Sequence, residues 1–296
     1  MIVGTTPRLR QIAIEVWKPI SLLFLWDVFV TVCHFVFEIK EPPLPTTLFG
    51  AALTLFLGFR TNAAYARWWE ARGLWGSLIN SSRSLARITV TLTRSDEEWS
   101  KHLRQWVIMH QITFAHVLRH QLRGEDPTAE VDRLLGKDEI PHVMERVNRP
   151  NALLEDVSTG YGDALDAGHI NPMQQTIVEG ILTDIANAQG GMERIKNTPL
   201  PSGFRAFPNL ATRLFCILLP ISLVADLEYF TPVVSTLIGM VFLGALRIGE
   251  DLTDPFSNDV HDVPLTAMCT TIEIDLKQMI GREIPEPQKP IDGVLW

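Results

Sequence analysis

The side chains best equipped for chemistry fall into three groups. His116 and His120 stand four residues apart, a spacing that can set two imidazoles on one helix face and hold a transition metal, with His110, Glu125 and Asp126 near in sequence. Neither an HExxH motif nor a cysteine partner accompanies them, so interhelical polar contact is the expected role. Asp251, Asp254, Asn258, Asp259 and Asp262, following Glu250, supply the hard oxygen donors that Ca2+ favours, within a short irregular stretch that lacks the DxDxDG loop of an EF-hand. Their ordinary role would be salt bridging, with Asp262 capping a helix over Val263 to Ile280. Asp27 lies inside the apolar stretch Ile20 to Phe37, where an ionisable group must face protein or water, and a bond to a neighbouring helix is its expected use. No P-loop, GxSxG or CxxC is present, and GYGDAL lacks the third glycine of a dinucleotide fingerprint. Catalysis is not the expected business of this chain.

A different function is written in Pro42 to Gly76, PPLPTTLFGAALTLFLGFRTNAAYARWWEARGLWG. Its first part, to Phe59, carries no charge and is long enough to cross a hydrocarbon core of ~30 Å. Arg60, Arg67 and Arg72 follow with no helix breaker, which predicts one helix running from bilayer to water. Ala51, Leu55 and Phe59 fall at i, i+4 and i+8 and share a face of graded apolar bulk, beside the small residues Gly50, Ala51, Ala52 and Thr54. Rings of such residues in an oligomer can gate by dewetting, although the same periodicity also suits lipid or helix contact.

Composition agrees with a chain partly in lipid and partly in water: 296 residues, 46% hydrophobic, 20% charged, with a mean hydropathy of only +0.12. A net charge of -8 argues against nucleic acid as a partner. Cys33, Cys216 and Cys269 are odd in number and sit among apolar neighbours, against a disulfide framework and in favour of a reducing compartment. The first apolar stretch lacks a small-residue cleavage site and is expected to be retained.

The elements that must position these residues are helices throughout. EIKEPPLPTT, from Glu38 to Thr47, returns the chain after the first span, and Trp68, Trp69 and Trp75 mark the exit of the second as an aromatic belt. Gly73 to Leu122 reads as two helices parted at SDEEW, with Ser95 as cap and Glu98 three residues on. Gly124 to His169 carries loop punctuation, GEDPTAE, GKDEIP, NRPN and GYGDALDAGH, with short helices over Glu130 to Leu135 and Ala152 to Val157. Asn171 to Asn197 is a helix with an apolar stripe of Ile177, Ile181, Ile185 and Ala188. Leu210 to Ala225 and Tyr229 to Leu246 complete the apolar segments, and the proline-broken tail after Arg282 is expected to run extended over the surface or a neighbouring subunit. Arg8, Arg10 and Lys18 before the first span, and arginines after the second, put both flanks in the cytoplasm; an even number of spans returns the C-terminus there too.

FLGFRTNAAYARWWEARGLWGSLINSSRSLAR, GGMERIKNTPLP and DPFSNDVHDVPL, in that order, resemble the bestrophin family of ion channels in its bacterial form. The resemblance covers most of the chain outside roughly Ser95 to His169. It implies an all-α protein with four spans and a large cytoplasmic helical region, assembled as a pentameric ring around a central pore in the bacterial inner membrane. The corresponding division is 1–76 for the first two spans and pore neck, 77–205 for the cytoplasmic helices, 206–249 for the last two spans, and 250–296 for the acidic segment, final helix and tail. Ala51, Leu55 and Phe59 would form the neck, and Met173, Gln174 and Ile177 a cytosolic constriction. In calcium-gated animal bestrophins the segment after Pro-Phe is a more continuous acidic run; here Ser257, Asn258, Val260 and His261 interrupt it, so no cofactor is expected to be required, with Ca2+ the candidate ion at the acidic segment.

The expected activity is passive conduction of small monovalent ions. Animal and plant bestrophins are anion channels, whereas bacterial relatives are associated with monovalent cations, and the acidic balance here favours a cation such as sodium over chloride. Two readings of other classes stand beside it: a membrane-bound metalloenzyme built on His116 and His120, and a non-conducting membrane scaffold.

Overall fold

A computed structural model describes residues 1, 9–37 and 44–296. Its helices, in chain order, are α1 (Leu9–Phe37), α2 (Thr46–Leu92), α3 (Glu98–Arg123), α4 (Thr128–Leu134), α5 (Ile140–Met144), α6 (Arg149–Asp166), α7 (Pro172–Asn197), α8 (Ser202–Leu227), α9 (Thr231–Asp251) and α10 (Leu265–Met279). Among the described residues the only β feature is an isolated bridge between Ile291 and Val294. Most of the turn expected over Glu38 to Thr47, and Arg8 on the first flank, lie outside the described residues. The chain separates into two compact units, one formed by Gly4–Trp68 and Pro199–Asp254 and the other by Met1–Val3, Trp69–Thr198 and Pro255–Trp296. As expected, α2 is a single unbroken helix, and it contributes to both.

The first unit is the apolar one. Two of its stretches, Trp17–Phe37 and Ser202–Asp251, are long and apolar enough to cross a membrane, the second holding both α8 and α9. Leu53 and Leu57 of α2 pack on Ala211, Phe215 and Leu219 of α8 and on Leu246 of α9. Asp27 is fully buried and its Oδ2 accepts from Thr236 Oγ1 at 2.8 Å, tying α1 to α9. That is the interhelical bond expected of it. Pro208 and Pro220 lie inside α8, which neighbouring helices tolerate in a well-packed bundle.

Gly239 is where α1 and α9 meet. A Cβ there would collide with the buried Leu23 and touch Cys216 Sγ at 3.5 Å. Gly239→Val should therefore cost about 1–3 kcal/mol through overpacking, read as a lowered melting temperature. Gly244→Ala on the same helix, where a Cβ meets nothing within 4 Å, should leave it unchanged.

In the second unit α3 is buried along most of its length, and the amphipathic helices α4, α6, α7 and α10 surround it. Several local expectations change here. Trp75 is not an interfacial belt residue but fully buried core, because it falls on the inward face of α2 with Leu78, Ser82 and Leu85. Ser95 does not cap α3; the helix starts at Glu98 after Glu97, with no side-chain cap bond. The region expected to be loop-like contains α6, capped by Asn148, whose side chain accepts from Asn151 N, and led by Pro150. Glycines inside α6 are not turn residues: a Cβ on Gly160 would stand 2.7 Å from the Trp106 ring, so the glycine lets α3 approach closely. Asp262 does not cap α10, which begins at Leu265 without a side-chain cap bond. The tail folds back within its own unit, with Leu295 N donating to Met1 O at 2.9 Å and Ala267 N to Trp296 O at 2.7 Å.

Candidate functional site

Two faces of α2 divide its apolar half between core and surface. Leu53 and Leu57 are 1% and 5% exposed, whereas Leu55 and Phe59 are 58% and 56% exposed, and Ala51 shares that outer face. Helical spacing produces the split: residues two apart project roughly opposite ways, and residues four apart project together. The outer face is an apolar row on a helix whose inner face is anchored. Such a row needs lipid, a partner or a dewetted passage to cover it.

Below Phe59 the helix is fastened by charge. Arg60 is 2% exposed and lies 3.6 Å from Glu250 of α9. Glu250 also accepts from Asn209 of α8 at 2.7 Å, so α2, α8 and α9 meet on one carboxylate. Arg60, where the uncharged run ends, is a buried ion-pair partner, because it stands seven residues after Leu53 and three after Leu57 and so shares their inward face.

Met173 and Ile177, expected at the cytosolic constriction, are 75% and 48% exposed near the start of α7. Gln174 is committed locally: its side chain accepts from Asn171 N at 2.8 Å while Asn171 accepts from Gln174 N at 3.0 Å. This capping box orients the first turn of α7. The buried stripe of α7 runs through Val178, Leu182, Ile185 and Ala188 and leaves Ile177 outside it.

The acidic segment is divided between the two units. Asp251 pairs with Arg247 at 3.1 Å. Asp262 is buried and receives Ser257 Oγ and Asp259 N, each at 2.9 Å, while Asp259 Oδ1 accepts from Val260 N. These carboxylates organise the loop's own backbone. Among the described residues, no group of three His, Cys, Asp or Glu side chains is placed to hold a metal ion.

His116 and His120 are likewise engaged. His116 Nε2 donates to Glu273 Oε2 at 2.9 Å, with Nδ1 3.5 Å from Glu130 Oε1. His120 accepts from Arg119 Nη2 at 2.6 Å, and burial followed by the adjacent Arg119 charge lowers its pKa. Glu273 also takes both arms of Arg133, at 2.7 and 2.9 Å, and Lys277 Nζ at 2.8 Å. Burial alone would raise the Glu273 and Glu130 carboxyls, yet contacts from His116 and Arg133 hold both well below the usual glutamate range, with Lys277 adding to the effect on Glu273. Glu273 and Lys277 at i, i+4, and Glu130 and Arg133 at i, i+3, were readable as local pairs. Their convergence on a histidine 157 residues away from Glu273 was not. The cysteines are free, and burial pushes the Cys269 thiol up to about 12, which makes it inert.

The helical architecture, the membrane-type stretches and an unpartnered apolar row on a long anchored helix define a class of helical membrane protein. A family profile described as Bacterial/Fungal Bestrophin protein matches residues 8–278, and the chain belongs to that family. It is 35% identical over 280 residues to the voltage-dependent anion channel-forming protein YneE of Salmonella typhi, covering 93% of this chain and 90% of that one. The Escherichia coli K12 protein of the same name is 39% identical over 248 residues, covering 83% and 80%. Among solved structures, a bacterial bestrophin homologue from Klebsiella pneumoniae superposes with a TM-score of 0.84 at 33% identity, covering 90% of this chain and 99% of that chain. The bestrophin family comprises ion channels rather than enzymes.

Proposed function

We propose that this chain is one subunit of a homo-oligomeric ion channel that passes small monovalent ions passively across the bacterial inner membrane. Four spans serve it: α1, the apolar half of α2, α8 and α9, with both termini cytoplasmic and five copies around the pore, as in the family it resembles. Ala51, Leu55 and Phe59 form stacked apolar rings at the neck, and Met173, Gln174 and Ile177 narrow the cytosolic path at the capped start of α7. The observation that carries this reading is the exposed row on α2, set opposite a face locked into the core. The channel forms or breaks no bond; it lowers the barrier to ion transfer by replacing lipid with a hydrated path and an apolar gate.

The permeant ion is an anion, chloride in the simplest case. The names of the relatives from Salmonella and Escherichia support this over the cation expected from net charge. A physical reason accompanies the revision. Net charge counts every acid, whereas selectivity depends on uncompensated charge at the pore, and Glu250 and Asp251 near the end of α9 are paired with Arg60 and Arg247. The metalloenzyme alternative loses support because His116 and His120 are already engaged with Glu273 and Arg119.

The test is the reversal potential of the purified protein in a planar bilayer under a NaCl gradient. It should move toward the chloride equilibrium potential. A shift toward the sodium potential would overturn anion selection, and absence of current from assembled protein would overturn the channel itself.

A further inference from the structure

A second feature of the apolar unit lies away from the neck, in a cavity of about 620 Å³ bounded by α1, α8 and α9. Its size falls within the ~300–1,000 Å³ of small-molecule sites. Leu22, Trp26, Ile217 and Leu243 line its apolar length, and Asn209, Arg213, Arg247 and Glu250 its polar end. That end adjoins the beginning of α8 and the end of α9, the cytoplasmic side in the topology above.

The charges at the polar end are unequal in their commitments. Glu250 is held by Arg60 and by Asn209, and Arg247 reaches both Glu250 and Asp251. Arg213 is exposed and makes no ion pair among the described residues. A guanidinium without a counter-ion, at the end of an apolar groove between membrane helices, matches an amphiphile with an anionic head and a hydrocarbon tail. Guanidinium groups bind phosphate through paired hydrogen bonds, and basic pockets between spans on the cytoplasmic side suit anionic lipid headgroups. A free phosphate would leave the apolar length of the groove empty, and a zwitterionic lipid would bring its own cation beside Arg213.

We infer that this groove binds one anionic phospholipid of the cytoplasmic leaflet, with its phosphate on Arg213 and an acyl chain along Leu22, Trp26, Ile217 and Leu243. The inference rests on the reading that α1, α8 and α9 lie in the bilayer.

The test is native mass spectrometry of the delipidated full-length oligomer, titrated with phosphatidylglycerol or phosphatidylcholine of identical chains, together with reconstitution into vesicles of each. Phosphatidylglycerol should bind in preference, and Arg213→Gln should weaken it by about tenfold, the scale of losing a charge-assisted hydrogen bond. Arg213→Lys should retain part of the preference. Leu243→Trp, which fills the groove, should reduce binding of both lipids, and soluble glycerol 3-phosphate should not compete. Equal binding of the two lipids, an unchanged preference in Arg213→Gln, or full competition by glycerol 3-phosphate would overturn the site. Protein that incorporates into neither vesicle would instead sink the membrane reading on which the site depends.

Discussion

Glu273→Ala is expected to destabilise the protein by about 3 kcal/mol or more, the scale of removing one partner from a buried ion pair. The carboxylate is 3% exposed and receives His116, both arms of Arg133 and Lys277. Its loss takes the 2.9 Å partner from the buried His116, which keeps Glu130 at 3.5 Å, and leaves Lys277 without that acceptor, while Arg133 is partly exposed and keeps Glu130. The effect should therefore sit toward the lower end of the ~3–5 kcal/mol range for such pairs. Glu273→Gln should fall between alanine and wild type, because the amide keeps the shape but offers one acceptor oxygen. Thermal unfolding of the purified protein measures both, and an alanine variant as stable as wild type would show that the network contributes nothing net.

The same carboxylates make the protein acid-labile. Glu130 and Glu273 have folded pKa values depressed below the ordinary 4.5. The unfolded chain therefore binds their protons first, so their contribution is complete above about pH 4.5 and is lost as pH falls through the depressed folded values. A melting temperature that declines in acid for wild type should decline less steeply in Glu273→Gln, which has one of the two titrating groups removed.

The second large effect is expected at the neck. On the channel reading proposed above, Phe59→Ala and Leu55→Ala each remove apolar bulk from every subunit of the pore at once, so the barrier that an ion meets while shedding water should fall with the widened passage. Every ~1.4 kcal/mol removed from that barrier is worth about tenfold in rate, and single-channel conductance or flux should rise by about that factor. Leu53→Ala is the contrast: Leu53 is 1% exposed in the core with Phe215 and Leu219, so its truncation should cost about 2–5 kcal/mol of stability. Its effect on permeation should be small. If Leu55→Ala and Phe59→Ala left flux unchanged in assembled protein, the row would be lipid-facing or packing surface.

Periodicity made the helices legible because it is local. The unbroken run after Pro45, the break between Leu92 and Glu98, and the start of α7 at Asn171-Pro172 all follow from side chains within a turn or two. The opposition of Leu53 and Leu57 to Leu55 and Phe59 follows from the same spacing, although spacing alone does not say which face is core. Glycine in α6 misled the reading for a physical reason. GYGDALD looks like a turn until Trp106 arrives from α3 and needs the missing Cβ of Gly160. Asp262 looked like a helix cap because it precedes an amphipathic stretch, but the fold uses it to close its own loop through Ser257 and Asp259.

The sequence by itself determined that the chain is helical, that part of it is too apolar for water, and, through three ordered motifs, its family. Tertiary structure decided how the charges are spent. Arg60 and Glu250 lie 190 residues apart in the numbering yet share one ion pair, and His116 finds Glu273 only when α10 packs on α3. Coulomb energy depends on distance and burial in space, and neither is written in the order of residues. Among the described residues the same fold leaves Arg213 without an acidic partner beside an apolar groove, a juxtaposition that arises only when three helices separated in the chain are packed together.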